Sequence, residues 1–327
     1  KHSLEGACSR ETDVFTTVSP ITGDEATLLH ERRPDLLVPN GIDLEVMDEI
    51  AGSSSREVVR ERLQREASLF LGDDVSDAAL LCISGRYEFH NKGIDVLLEA
   101  LARLNDRPGR RIVLFVLVPA GNSGLSSEVL ERREKGLEAL GEMDGPVGIS
   151  THNLFDEESD PVHEHCRRFG ITNAAADRVK VIQVPIYLGP KDGFLDEPYE
   201  AVLRAMDLSA FPSFYEPWGY TPQESSAVGV PTVTSDYAGF GRWALSEGLG
   251  AESGITVLRR EDRSHEDVIV DLADALDHAV STDDAHAMPD LETCRETASR
   301  TSWSDLFDNY EAVSYTHLTL PTMIIRC

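Results

Sequence analysis

The chain has 327 residues, with 58 acidic against 30 basic side chains and a formal net charge of −28. Hydrophobic residues make up 41% of it, which is enough to build a core and excludes a wholly disordered chain. The field of so many carboxylates repels polyanions, so the charge excludes nucleic acid and anionic membrane surfaces as partners. Because only five of the basic residues are lysines, the composition fits a protein adapted to high salt, or an ordinary acidic cytoplasmic one.

The five cysteines lie far apart in the sequence and form no CxxC pair. An odd and sparse set argues against a disulfide framework and indicates a reducing compartment, so we expect a cytoplasmic protein. The longest apolar run, 112–118, is too short to cross a bilayer, so we expect no membrane span. His163, His165 and Cys166 lie close together, but their spacing does not give a zinc-binding helix face, and we predict no metal site.

Apolar runs alternate with amphipathic stretches along the chain, which is the pattern of βαβ units around a parallel sheet. Strands are predicted at 13–18, 79–84, 112–118, 179–184, 208–212, 231–235 and 254–258. Helices are predicted at 21–29, 94–104, 127–140, 199–206, 221–228 and 265–279. Polar, glycine-containing stretches at 52–55 and 141–148 are predicted to be loops.

This order of elements predicts an α/β fold with one doubly wound parallel sheet over residues 43–312. Residues 1–42 hold one predicted strand and one predicted helix, which is too little to fold alone, and we interpret them as the end of a preceding domain. Residues 313–327 contain no Asp or Glu, unlike the rest of the chain. We interpret this tail as non-native; a genuine C-terminal strand is the alternative.

The loop at 85–93, between a predicted strand and a predicted helix, carries two cations in a strongly acidic chain. Arg86 and Lys92 lie at the carboxyl edge of the predicted sheet, where open α/β sheets bind ligands, and a diphosphate would explain both charges. Gly93 allows a close approach of the backbone before the helix begins. The alternative for Arg86 is a surface ion pair with Glu88 or another carboxylate.

The loop at 211–224 also follows a predicted strand and leads into a helix. Thr221 and Glu224 have the spacing of a capping box, and Pro222 fits the first helical position. This predicts a helix N-terminus that binds an anion above Gly219–Thr221 through its N–H groups and its positive dipole end. Glu216 precedes the helix, so we expect it to contact a sugar or a cation, and the two carboxylates beside phosphate-binding cations indicate a sugar nucleotide.

Three motifs, GRYEFHNKG (85–93), FPSFYEPWGYTPQE (211–224) and SDYAGFG (235–241), resemble the glycogen synthases of the animal and fungal type, glycosyltransferase family three. DVFTTVSPIT (13–22) and PNG (39–41) match that family as well, and the resemblance runs from His2 to Asp308. It implies a GT-B fold, with two Rossmann-like domains and the active site between them. This chain would hold the end of the first domain and most of the second, the nucleotide-sugar domain.

The resemblance also implies roles for single residues. The Arg and Lys of the first motif bind the donor diphosphate in the family, which implies this role for Arg86 and Lys92. Glu216 would lie by the transferred glucose and complete the catalytic set with these two cations. Glu224 would contact the nucleotide side of the donor.

Further donor contacts are implied by the same resemblance. Backbone groups of Gly219, Tyr220 and Thr221 would hold phosphate and sugar oxygens. Tyr187 and Tyr199 match two aromatic positions that stack the uracil; the alternative for both is ordinary core packing. Where relatives carry an arginine-dense helix that binds glucose 6-phosphate, this chain has two arginines, at 295 and 300, so we do not expect that control.

The activity implied is that of a retaining glycosyltransferase, which moves glucose from UDP-glucose to the non-reducing end of an α-1,4-glucan such as glycogen, without a metal or other cofactor. The resemblance does not decide between UDP-glucose and ADP-glucose, and it is compatible with a homo-oligomer. The family's catalytic-site His falls in a part of the first domain that this chain lacks, so a second hypothesis is nucleotide-sugar binding without turnover. A glycoside hydrolase using Glu216 and Glu224 as acid and base is the third, and it would leave Arg86 and Lys92 without a role.

Overall fold

The strands of the structure, a computed structural model, form one large sheet and two short pairs. The structure describes residues 2–281, 289–307 and 311. Its strands are β1 (Thr16–Thr17), β2 (Leu36–Leu37), β3 (Ala79–Ser84), β4 (Ile112–Leu117), β5 (Asn122–Leu125), β6 (His152–Leu154), β7 (Val179–Gln183), β8 (Leu208–Ala210), β9 (Thr232–Ser235) and β10 (Ile255–Leu258). Six of them make a parallel sheet in the order β10-β9-β8-β3-β4-β7. The chain runs outward from β3 first to one side and then to the other, so the predicted doubly wound α/β sheet is confirmed.

Helices connect these strands and cover both faces of the sheet. They are α1 (His2–Glu11), α2 (Pro20–His30), α3 (Leu44–Ala51), α4 (Arg56–Leu71), α5 (Ile94–Asn105), α6 (Ser127–Lys135), α7 (Pro161–Arg168), α8 (Tyr199–Arg204), α9 (Tyr220–Ala227), α10 (Gly239–Ser246), α11 (His265–Ala279) and α12 (Leu291–Ser299). None of the described helices has the length and apolar composition that a membrane span requires.

Most of the hydrophobic core lies in two layers, one on each face of the sheet, and a smaller cluster forms around Trp218 and Phe240. Every side chain of β3 is buried, and successive side chains of a strand point to opposite faces. Leu81 therefore packs with Leu97 of α5 and Leu272 of α11 on one face, whereas Leu80 packs with Leu63 of α4 on the other. A strand covered on both faces is largely apolar, which is why β4 is a continuous apolar run in the sequence and β3 is apolar up to Ser84.

The structure confirms the predicted strands of the large sheet to within two residues at each end. The helix predicted at 127–140 is wrong in its second half, because Gly136 adopts a φ of 75° and ends α6, and a 3₁₀ turn (Leu137–Glu142) follows. The strand predicted at 13–18 contains only two paired residues, Thr16–Thr17. The sequence did not predict α1, α3, α4, α7, α10 and α12, nor the antiparallel β5–β6 pair.

The N-terminal segment meets the C-terminal end of the described chain beside the large sheet. The Ile42 N–H donates to the Thr301 carbonyl (3.0 Å), and the Trp303 N–H donates to the Ile42 carbonyl (3.1 Å). Gly41 lies against the Trp303 ring, where a Cβ would come within 2.5 Å of a ring atom. The domain boundary at 42–43 stays a prediction, and the tail at 313–327 lies outside the described residues.

Candidate functional site

The two motif loops follow β3 and β8, which are neighbours in the sheet, so both loops lie at its carboxyl edge. Gly93 brings them into contact: its φ is 72°, and a Cβ there would lie 2.0 Å from the carbonyl oxygen of Pro212. The Phe214 N–H also donates to the Asn91 carbonyl at 2.8 Å. A side chain at 93 would push the loops apart, so this glycine is required by both its φ and its surroundings.

An ion pair joins the two predicted clusters. Lys92 donates through Nζ to Oε1 of Glu216, and the two side chains are only 12% and 14% exposed. The lysine stem packs beside Gly85 at the start of its own loop, with its Cε 3.5 Å from where a Cβ would stand. The sequence placed these two residues in one site, and the structure brings their charged atoms together.

Arg86 lies at the same edge but points outward. Its side chain is 76% exposed, and its Nη2 atom pairs with Oε1 of Glu88 at 3.0 Å. This is the alternative given for Arg86 from the sequence. An exposed pair of this kind contributes little stability and is readily exchanged, so the guanidinium is available to an anionic ligand.

Helix α9 begins differently from the prediction. Gly219, with a φ of 103°, is the residue at its N-cap, and no side chain caps the helix. Thr221 and Pro222 are therefore the second and third helical residues, and the predicted capping box with Glu224 is wrong. Because Gly219 adopts a positive φ, the helix begins at Tyr220, one turn before Glu224. The N-terminus of α9 still lies at Gly219 and Tyr220, and the N–H groups of a first helical turn, which lack partners within the helix, are suited to an anion.

Glu224 does not cap the helix. It lies on α9, and its side chain is half-buried. Burial raises the pKa of its carboxyl from 4.5 to about 7, with a further increase from the nearby Glu200 and a decrease from Lys92. Among the described residues its side chain makes no hydrogen bond or ion pair. The carboxyl therefore gains or loses its proton near neutral pH, at the same edge as the two cations.

An apolar pocket of about 350 Å³ opens beside these groups. It is lined by Ser84, Gly85, Arg86, Leu117, Pro119, Ile186, Tyr187, Leu188, Tyr199 and Thr221. The Tyr199 hydroxyl lies 2.7 Å from Oγ of Ser84, and burial raises its pKa well above the usual value. Tyr187 is 84% exposed at the rim, so core packing is wrong for this residue. A narrow, largely apolar slot with an aromatic ring on its wall is suited to a flat ring.

The His163–Cys166 segment lies on α7, and the His165 ring packs edge-on against Phe89 of the loop at 85–93, with ring centroids 5.2 Å apart. Nε2 of His165 is 3.1 Å from Oε1 of Glu99, and burial raises the pKa of Cys166 to about 12. Within the part of the chain that the structure describes, no three His, Cys, Asp or Glu side chains are grouped to hold a metal ion.

Comparison with known proteins decides the family. A model of the glycogen synthase family matches residues 1–138 and 133–310. The chain belongs to the glycogen synthase family. Liver glycogen [starch] synthase of Mus musculus is 31% identical over 322 residues, which cover 82% of this chain and 46% of that protein. The chain spans about half the length of the curated relatives it matches.

Solved structures place this member of the glycogen synthase family among GT-B proteins, as the sequence predicted. A glycosyltransferase from Rickettsia africae superposes with a TM-score of 0.58 at 13% identity, over 98% of this chain and 68% of that one. HepE of Anabaena, solved with UDP and glucose, gives a TM-score of 0.57 at 15% identity, with the same two coverages, 98% and 68%. The large sheet and its helices are therefore a Rossmann-like half of a GT-B fold.

The structure also shows residues at this edge that the sequence analysis missed. Ile186 and Leu188 line the pocket on either side of Tyr187, in an irregular segment with no periodic pattern. The Tyr215 hydroxyl bonds Oε2 of Glu25 at 2.6 Å, which ties α2 of the N-terminal segment to the loop that carries Glu216. Burial and this hydrogen bond raise the pKa of Tyr215.

Proposed function

We propose that this chain is the donor-binding part of a glycogen synthase, which transfers glucose from UDP-glucose to the non-reducing end of an α-1,4-glucan with retention of configuration. The observation that carries the proposal is the meeting of Lys92 and Glu216 at the N-terminus of α9, beside an apolar pocket. Cations and a helix N-terminus suit a diphosphate, a carboxylate suits sugar hydroxyls, and the pocket suits a base.

The diphosphate is the leaving group of this reaction, and negative charge grows on it as the bond to glucose breaks. Lys92, Arg86 and the first turn of α9 supply the positive potential that stabilises this charge. Arg86 reaches the phosphates by leaving its exposed pair with Glu88. We propose that these groups suffice and that the reaction uses no metal or other cofactor.

The nucleoside and the sugar occupy opposite sides of the diphosphate in this proposal. The base enters the pocket between Tyr187 and Tyr199, and Glu224 on α9 faces the ribose side. Glu216 orients the glucose and stabilises the positive charge that develops on its ring. The UDP and glucose in HepE, a protein of the same fold, support a nucleoside diphosphate and a sugar as ligands.

The acceptor, an α-1,4-glucan such as glycogen, completes the reaction in the whole protein. Closure of two GT-B domains around the donor would exclude water and limit hydrolysis. Because the chain spans about half the length of its relatives, we expect it to bind the donor without turnover by itself. The hydrolase hypothesis finds no support, since Glu216 is paired with Lys92 and the family is glycogen synthase.

Titration calorimetry of the chain with UDP-glucose, ADP-glucose and free glucose tests this proposal. We expect UDP-glucose to bind most tightly and Lys92→Met to weaken it at least about tenfold, the value of a charge-assisted hydrogen bond. Lys135→Met is the matched control, because Lys135 pairs with Glu131 on the surface of α6. Equal affinity of wild type and Lys92→Met, or release of free sugar from a glucan without nucleotide, would contradict the proposal.

A further inference from the structure

The ion pair between Lys92 and Glu216 occupies the position that the proposed function gives to the donor. Neither side chain has another hydrogen bond or ion pair among the described residues, and both are mostly buried. Lys92 is less exposed than Arg86 of the same loop, which is 76% exposed. An incoming diphosphate therefore meets a lysine that a carboxylate already neutralises.

The backbone around the pair is fixed, so only the side chains are free to separate. The Glu216 N–H donates to the Tyr237 carbonyl and the Glu216 carbonyl accepts from the Gly239 N–H, both at 3.1 Å. The Lys92 N–H donates to the Glu88 carbonyl at 2.8 Å. Breaking the pair is a matter of side-chain rotation, and the loops need not move.

We propose that Lys92 exchanges partners when the donor binds: it leaves Glu216 for the diphosphate, and the freed Glu216 carboxylate accepts hydrogen bonds from sugar hydroxyls. This rests on the proposed function and extends it to the choice between donor and product. A nucleotide sugar supplies both the anion for Lys92 and the hydroxyls for Glu216. A nucleoside diphosphate without sugar supplies only the anion and leaves a mostly buried carboxylate without a partner.

The exchange makes recognition of diphosphate and of sugar depend on each other. An unpaired buried charge is costly. The free energy needed to separate Lys92 from Glu216 therefore lowers the affinity for UDP alone. UDP-glucose recovers that penalty through its hydroxyls. After transfer, Glu216 takes Lys92 back and favours departure of UDP.

Calorimetry of UDP and UDP-glucose binding to wild type and Glu216→Gln tests the exchange. The amide does not neutralise Lys92, so we expect UDP to bind Glu216→Gln about tenfold more tightly than wild type, as a charge-assisted contact is gained without competition. The affinity for UDP-glucose should rise less, so the ratio of the UDP-glucose affinity to the UDP affinity should fall. Glu216→Ala should raise the affinity for UDP in the same way. Glu131→Gln is the control: it removes a carboxylate on α6 that is paired with Lys135, and it should change neither affinity.

A double-mutant cycle separates this exchange from a general change in charge. In a Lys92→Met background, Glu216→Gln should leave UDP affinity within about twofold, because no pair remains to be opened. UDP binding to Glu216→Gln at or below the wild-type affinity overturns the exchange and leaves the proposed function standing. Absence of UDP and UDP-glucose binding to every folded variant, wild type included, overturns both.

Discussion

Replacing Glu224 by Gln should change how the stability of the protein depends on pH. The carboxyl has a pKa of about 7 in the folded chain because burial and Glu200 disfavour its charge. In the unfolded chain its pKa returns to the ordinary value of 4.5. Below that value the side chain is protonated in both states and contributes nothing to the pH dependence.

Between the two pKa values the folded state keeps a proton that the unfolded state releases, so stability falls as the pH rises. The difference between 4.5 and about 7 corresponds to a loss of about 3 kcal/mol, reached just above neutral pH. Glu224→Gln keeps the shape and removes the ionisation. We therefore expect the variant to gain up to about 3 kcal/mol over wild type at pH 8 relative to their difference at pH 4.

Urea unfolding of wild type and Glu224→Gln at pH values from 4 to 8 measures this difference. Glu200→Gln is a matched variant that keeps Glu224 but removes its like-charged neighbour, which lowers the folded-state pKa of Glu224. The fall in stability should still begin near pH 4.5, but it should end at a lower pH and be smaller. A difference between wild type and Glu224→Gln that is the same at pH 4 and pH 8 would refute the reasoning, because the carboxyl would then have an ordinary pKa.

Two further substitutions test the packing and the buried hydrogen bonds around the site. Gly93→Ala should destabilise the fold by about 2 to 3 kcal/mol in thermal unfolding, because its φ is positive and its Cβ meets Pro212; Gly141→Ala, with open space around it, should not. Gln223→Leu should cost about 2 to 3 kcal/mol in urea unfolding, because it leaves the buried Trp218 Nε1–H without its acceptor. Wild-type stability of either variant would contradict the packing described.

The sequence predicted the elements whose pattern is local. Strands buried on both faces are short and largely apolar, and β3 and β4 were found for that reason. β7 was found as well, although it includes the buried Lys180 and Gln183. Helix α4 was missed because its sequence, REVVRERLQREASLFL, mixes charges into both faces and buries even Glu66. That carboxylate is paired with Arg65 (2.5 Å) and Arg133 (3.2 Å), an arrangement visible only in three dimensions.

The candidate site, too, was predicted where a local pattern or a resemblance existed and was missed where it depends on contacts made only in the fold. Lys92 and Glu216 were assigned to one site because their loops follow strands of one sheet and because the motifs resemble those of a family. The start of α9 was misplaced, since a capping box and a glycine with positive φ compete for the same turn, and only the backbone shows which one wins. The contact of Tyr215 with Glu25 joins residues 190 positions apart, for which no local pattern exists.

The most direct test of the central claim is a crystal structure of the chain with UDP. We predict the diphosphate within hydrogen-bond distance of Lys92 Nζ and of the first-turn N–H groups of α9, with uracil in the pocket between Tyr187 and Tyr199. Two results would contradict the account: UDP bound in the cavity of about 780 Å³ that Arg62 and Arg65 of α4 line, or no nucleotide bound at this edge of the sheet.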